Sequence, residues 1–363
     1  MATALRLPGN ASSIHAEGRA ARAVIEDARE KVAILAGARP KNVVFTSGGT
    51  EAANLALTPQ FGQAGAAPLT RLLLAATEHA CVNLGHRFDA KEVTRLPCDP
   101  DGVVEMTALD AALAGGGPVL LALQAANNET GVVQPVAGAA ALVRAAGGLT
   151  VCDAVQVFGK LPCDIKSLGV DALFVSAHKI GGPKGVGALI FASDNLHLGT
   201  PLLRGGGQER GLRAGTENVA AIAGFGAAAA TAMAGIASEA TRLSDLRDRL
   251  EASVRRTAPD LLVFGAAAPR LPNTICFAIP GVSAETLLIA LDLAGIAASS
   301  GSACSSGKVA PSSVLAAMGV APELANGALR LSLGWSSTAA EIADFDQRFA
   351  AVVDRLRQAR RAA

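Results

Sequence analysis

The 363-residue chain has little that marks a secreted, membrane-bound or nucleic-acid-binding protein. Its cysteines, Cys81, Cys98, Cys152, Cys163, Cys276 and Cys304, stand singly with no Cys-x-x-Cys pair, which excludes a disulfide framework or a zinc knuckle. Reduced thiols are the expectation. His79-x-Cys81 and Pro162-Cys163 come nearest to a metal motif, but no second cysteine follows at ligand spacing, so no metal is expected. Charge of one sign is missing too. With 32 Lys and Arg against 31 Asp and Glu, neither nucleic acid nor an anionic membrane is favoured as a partner. The N-terminus, Met1-Ala-Thr-Ala-Leu-Arg-Leu-Pro, lacks the apolar core of a secretory signal, so the expected location is the cytoplasm. The uncharged run from Val219 to Ala237 approaches the length of a membrane span. It is mostly Ala, Gly and Thr and continues into the charged pattern Glu239 to Arg256, so a buried helix of a soluble protein is expected instead.

What is present is ample apolar material, 50% of residues, in a chain long enough for two or three domains. A helix is expected from Ala16 to Leu35, capped by Ser12 or Ser13 and stopped by Gly37. After it, apolar runs alternate with helical patterns. The runs Asn42 to Thr46, Arg71 to Ala76, Pro118 to Leu123, Leu149 to Asp153 and Asp171 to Val175 imply a mostly parallel sheet covered on both faces. A long helix from about Glu217 to Arg256 hands the chain to a different last third. There, strands are expected at Asn273 to Ile279 and Ala328 to Leu333, and helices at Ala284 to Ala294, Ser313 to Met318 and Ala339 to Arg357, the last opened by a Thr338/Glu341 capping box. The boundary is placed inside the long helix: residues 1–235 form a large α/β domain, and 236–363 a small C-terminal α+β domain. Between the latter's elements lies a small-residue loop, Ala298 to Gly307, centred on Cys304, of the kind that often carries function.

Each strand exit carries polar chemistry: Ser47-Gly48-Gly49-Thr50, Thr77-Glu78-His79, Asn127-Asn128-Glu129, Asp153-Ala-Val-Gln156 and Ser176-Ala-His178-Lys179. In open α/β sheets ligands bind outside the carboxyl ends of the strands, so these exits describe one concave site. Lys179 ends a buried run just before Gly181-Gly182-Pro183. A lysine there either snorkels to solvent or loses hydration and becomes a nucleophile toward carbonyl carbon. Gly49 and Thr50 open a helix and, with Ser176 and His178, can face a phosphate. A buried lysine, an aspartate for a pyridinium proton (Asp153) and a flat residue for a ring (His79) complete the set for pyridoxal phosphate. The glycine-rich segment Arg204 to Thr216 fits neither Gly-x-Gly-x-x-Gly nor the Walker pattern.

These residues resemble those of the cysteine desulfurases of the class V aminotransferase group, on the aspartate-aminotransferase fold (fold type I). The resemblance runs from Gly9-Asn10-Ala-Ser-Ser13-Ile-His15 to Arg330-Leu-Ser332-Leu-Gly334. It is carried by the strand-exit motifs and by Gly205-Gly-Gly-Gln-Glu-Arg210-Gly-x-Arg213-x-Gly215-Thr216 and Ser299-Ser-Gly-Ser-Ala-Cys304. It implies a large, mostly parallel sheet of the seven-stranded type with a small C-terminal domain. It also implies that Lys179 is the Schiff-base lysine, Asp153 the pyridinium partner, and Gln156 the partner of the ring hydroxyl. His79 would stack and assist proton transfer. Thr50, with the Gly49 turn, Ser176 and His178 would hold the phosphate, with Thr216 reaching it from the other subunit of a homodimer. Asn128 and Arg330 would fix the substrate carboxylate, and Cys304 would accept sulfur from L-cysteine for an acceptor protein of iron–sulfur assembly or tRNA thiolation. The family begins with a strand holding Ala-Thr-Thr ahead of Gly-Asn-x-Ser-Ser, whereas eight residues precede Gly9 here, so that strand is expected to be missing. Alternatives within the same resemblance are a selenocysteine lyase, another class V enzyme, or a truncated non-catalytic partner subunit.

Overall fold

The computed structural model of the chain describes residues 1–300 and 312–362. By internal contacts it divides into one unit of Met1–Leu96, Glu105–Ala125 and Gln134–Ile236, and a second of Pro97–Val104, Ala126–Val133 and Ala237–Ala363.

The first unit is built on a seven-stranded sheet whose spatial order is Val43–Thr46, Gly187–Phe191, Ala172–Ser176, Leu149–Asp153, Val119–Gln124, Arg71–Ala75 and Val93–Leu96. Gly187–Phe191 pairs antiparallel with both its neighbours, and the remaining pairings are parallel. Six strands therefore end along the same edge. Their near-continuous burial is what parallel strands covered on both faces require. One face packs Val44, Leu72, Leu120, Val151, Phe174 and Leu189 into a shared core. Each such side chain contributes roughly 1.5–3 kcal/mol by leaving water.

The first helix, Ala16–Ala36, ends as expected at Gly37, which takes a left-handed φ of 66°. Its N-cap differs. His15 Nδ1 accepts the Gly18 amide, because Ser12 and Ser13 are tied into a turn on the Asn10 side chain and carbonyl. The long helix runs Val219–Thr257 and is, by length and composition alone, apolar enough to cross a membrane. Part of its apolar stretch is buried: Ala220, Ala221, Ile222, Phe225 and Ala229 are enclosed, and a Cβ on Gly226 would come 2.6 Å from Ala28 Cα of the first helix.

In the second unit, Leu262–Val263, Thr274–Ala278, Ala328–Ser332 and Ser299–Ser300 form a four-stranded antiparallel sheet. Phe277, Phe345 and Phe349 anchor its core, with Phe277 edge-on to Phe349 at 6.1 Å and Phe345 stacked on Phe349 at 5.2 Å. The Thr338/Glu341 capping box is formed in both directions. Ser299 and Ser300, expected in a loop, are strand residues because Arg330 and Leu329 offer a free edge beside them. Cys304 lies outside the described residues.

Candidate active site

The anion-binding end is made where the Val43–Thr46 strand turns into the helix Gly49–Ala56. Gly49 is needed there: a Cβ would lie 3.0 Å from Val155 Cγ2 and 3.6 Å from Ser176 Cβ, so this helix start abuts two other strand exits. Ser176 Oγ is 2.8 Å from His178 Nδ1. Together with Ser47, Thr50 and Lys184 these residues line a cavity of about 410 Å³. The start of the Gly49–Ala56 helix lines it, and the positive end of its dipole suits it to a phosphate; the Glu51 carboxylate, which accepts the Ser47 amide at 2.8 Å, lines it as well. Burial, then the charges of Lys179, Lys184 and Lys160, push the His178 imidazole below its ordinary range, so it serves as a neutral partner. Lys184, between Pro183 and Gly185, is not among the residues expected from the sequence to hold the phosphate.

Lys179 follows the Ala172–Ser176 strand in a 3-10 turn, Ala177–Ile180, closed by Gly181 at a φ of 80°. Its charge acts on both His79 and Asp153, so the three predicted residues from separate strand exits stand in one electrostatic neighbourhood. His79 caps the short helix Ala80–Asn83, and its Nδ1 accepts the Cys81 amide at 3.1 Å. The Nε2 nitrogen must then carry the proton in the neutral ring. Burial and the nearby Lys179 hold that ring neutral.

Asp153 ends its strand fully enclosed. Burial pushes its carboxyl up to about 7, against the Val155 amide, which donates to Oδ1 at 2.9 Å, and the pull of Lys179. A second carboxyl, Glu78, is buried nearby. Its Oε1 accepts the Gln124 amide at 2.7 Å, and its Oε2 is buried with no hydrogen-bond partner. Burial, then repulsion by Asp153, drives Glu78 well above the carboxylate range. Two adjacent buried carboxyls do not ionise together, so Glu78 keeps its proton and Asp153 is the one a cationic ring nitrogen would hold ionised. Glu78 was visible in the Thr77-Glu78-His79 motif, but nothing in the sequence showed its burial beside Asp153.

In the second unit, Arg330 Nη1 donates to the Asn128 carbonyl at 2.7 Å, joining the two residues predicted to hold a carboxylate. The turn that carries Asn128 is fixed by the Asn127 side chain, which accepts the Glu129 and Thr130 amides, and by Gly131 at a φ of 76°. Burial lifts Glu129 to about 7, opposed by Arg330 and by the Ser312 hydroxyl, which donates to Oε2 at 2.6 Å.

Comparison with known proteins agrees with this geometry. The Aminotransferase class-V family model matches residues 4–345. An IscS-like cysteine desulfurase of Mycobacterium tuberculosis is 42% identical over 350 residues, covering 94% of this chain and 88% of that protein. The chain is a member of the cysteine desulfurases of the class-V aminotransferase family. A solved NifS-like protein from Rickettsia africae superposes with a TM-score of 0.87 at 33% identity, covering 97% of this chain and 94% of the other. A second solved structure, SspA in complex with cysteine, is 26% identical with a TM-score of 0.72 and covers 92% of this chain and 94% of that one.

Enzymes of this family depend on pyridoxal phosphate, and the donor set of this desulfurase fits that group. An anion cradle, a lysine, an enclosed carboxyl and a neutral imidazole all come from strand exits of one unit. Of the two other predicted contacts, Gln156 is half-buried in the turn after Asp153, and Thr216 is exposed on a turn that the protein holds firmly. Arg29 grips Glu209 with two hydrogen bonds of 2.7 Å, and Glu209 also accepts the Phe45 amide at 2.9 Å. Glu209 and Arg210 sit at left-handed φ values of 47° and 58°, a strain the buried ion pair offsets. Arg213 pairs with Glu51 at 3.0 Å, and the Gly215 amide donates to Gln208 Oε1 at 3.1 Å.

Proposed function

We propose that this desulfurase converts L-cysteine to L-alanine with pyridoxal phosphate and leaves the sulfur on Cys304 as a persulfide, for delivery to an acceptor protein such as an iron–sulfur scaffold or a thiolation enzyme. The observation that carries the reading is Lys179, placed at a strand end where its charge reaches both His79 and Asp153. That cysteine is the substrate is supported by the names of the relatives and by the neighbouring structure solved with cysteine.

Pyridoxal phosphate, when bound, supplies an electron sink for the bonds at the substrate α-carbon. Thr50, Ser176 and His178 would hold its phosphate, and Asp153 would keep the ring nitrogen protonated. Gln156 would bond the ring hydroxyl, and His79 would serve as the stacking partner of the ring. Arg330 takes the substrate carboxylate in a two-pronged pairing, with Asn128 beside it. Lys179 would anchor the cofactor and would be the amine that takes the α-proton. The Cys304 thiolate attacks the substrate sulfur. A new S–S bond forms, the carbon–sulfur bond breaks with its electrons left on the carbon side, and protonation of the β-carbon and return of a proton to the α-carbon complete alanine. The reaction is assigned to the cytoplasm.

The direct test is the purified chain supplied with pyridoxal phosphate, a thiol reductant and L-cysteine. Alanine and sulfide are expected in equal amounts. Turnover of selenocysteine with none of cysteine would select a lyase instead, and neither product would select a non-catalytic partner.

The homodimer is part of the same proposal, with Thr216 donating to the cofactor phosphate of the other subunit. Thr216→Glu would place a negative charge beside that phosphate and remove a hydrogen bond to a charged group, weakening cofactor binding by about tenfold or more. Thr216→Glu and Lys179→Ala are each expected to be nearly inactive alone. In a purified mixed dimer of the two, one site carries both lesions and the other neither, so about half the activity should return. No recovery in a verified mixed dimer would show that Thr216 serves its own chain.

A further inference from the structure

The residue after Thr216 points the other way. Thr216 is exposed, whereas the Glu217 side chain is only 3% exposed, and Gly215, at a φ of 101°, lets the backbone turn sharply just before the two. Asn218 then starts the long helix, its Oδ1 accepting the Ala221 amide at 3.1 Å. Thr216 is thus bracketed. Upstream lie the Arg213 pairing with Glu51 and the bond from the Gly215 amide to Gln208, and downstream lies a carboxylate turned into the protein.

What meets that carboxylate is Arg22 of the first helix. Its Nη2 lies 3.0 Å from Glu217 Oε1, its Nε donates to the Ala11 carbonyl at 3.1 Å, and its Nη1 stands 3.6 Å from Glu26. Ala11 belongs to the Gly9 to His15 motif, which lies tight on the start of the same helix: a Cβ on Gly18 would come 2.3 Å from the Ser13 carbonyl oxygen. One guanidinium therefore ties the N-terminal motif and the Thr216 turn to one helix. Both Glu217 oxygens are buried and, among the described residues, neither makes a hydrogen bond, so the Arg22 charge is what holds the carboxylate there. An enclosed ion pair adds little stability over an apolar contact of the same size, because both ions give up water, yet losing one partner strands the other. Such a pair is better suited to fixing a position than to holding the fold together.

We propose that Arg22 and Glu217 are positioning residues of the cofactor site: their ion pair draws Glu217 onto the first helix and so presents the Thr216 hydroxyl outward, toward the phosphate held by the other subunit. Neither residue touches the cofactor; both act through Thr216. The proposal rests on the reading of Thr216 as a contact to that phosphate.

The test is the affinity of the full chain for pyridoxal phosphate, read from the visible band as cofactor is titrated into cofactor-free protein. The chains compared are the unmutated protein, Thr216→Ala, Glu217→Gln, Arg22→Met, and Thr216→Ala combined with each of the last two. Thr216→Ala should weaken binding by about tenfold, and Glu217→Gln or Arg22→Met by about three- to tenfold, up to the whole of that hydrogen bond. Each double variant should bind no more weakly than Thr216→Ala, because a residue that acts through Thr216 then has nothing left to position. Glu217→Gln keeps the shape of the side chain, and Arg22→Met reaches the same pair from the other side if the glutamine variant fails to fold. Losses that multiply in the double variants would show a general loosening of the fold and overturn the proposal. Weaker binding in Thr216→Ala with unchanged binding in Glu217→Gln and Arg22→Met would overturn the role of the ion pair alone. Unchanged binding in Thr216→Ala would overturn the reading of Thr216, and this proposal with it.

Discussion

Lys179→Ala is expected to lower cysteine turnover by about 10² to 10⁴-fold or more, the range for loss of a positioned acid–base group, with loss of the covalent anchor added. Some cofactor should remain, because the cradle of Gly49, Thr50, Ser176 and His178 does not depend on the lysine. Two other lysines make the assignment a real choice. Lys184 lines the same cavity but is exposed, and Lys160 is committed to the Gln156 carbonyl. Lys179 alone of the three has been placed where its charge acts on both Asp153 and His79. Borohydride treatment of the yellow protein should therefore fix cofactor on the peptide holding Lys179. Label on the Lys184 peptide, or full turnover in Lys179→Ala, would refute the assignment.

The strand exits were legible because each sets a polar group directly after a buried apolar run, a contrast that survives in one dimension. Asp153, His79 and Lys179 could be named from it. What escaped was of two kinds. The first was secondary structure decided by a neighbour. Val93–Leu96 has exposed Thr94 and Arg95 at its centre and is a strand because Arg71–Ala75 offers it an edge. The pairing of Ser299 and Ser300 with Leu329 and Arg330 has the same cause. The reversed direction of Gly187–Phe191 likewise leaves no mark in its composition. The second kind was burial of charge. Glu78 and Lys160 read as ordinary polar residues, and only the fold shows one enclosed beside Asp153 and the other against the Lys179 turn. Both lie close to groups that the sequence did reveal, and neither carries a sign of its burial in one dimension.

Cys304→Ser is expected to leave cofactor binding and the spectral response to cysteine intact while sulfide release falls to background. The two halves of the chemistry belong to different residues. Binding cysteine and removing its α-proton need Lys179, Arg330 and the ring-holding groups. Moving the sulfur needs a second thiolate, and a serine hydroxyl is neither ionised near neutrality nor able to form a persulfide. The other cysteines offer no substitute among the described residues. Cys98, Cys152, Cys163 and Cys276 are buried, and burial pushes the thiols of Cys152, Cys163 and Cys276 far up, Cys163 and Cys276 to about 12. Cys81 is only part-buried and close to the site, yet burial, then Asp153 and Glu78, holds its thiol protonated as well. A Cys81→Ser chain should accordingly keep its sulfide release. If Cys304→Ser released sulfide at the unmutated rate and Cys81→Ser did not, the acceptor thiol would have to be reassigned to Cys81. Loss of the spectral response in Cys304→Ser would instead place Cys304 in substrate binding.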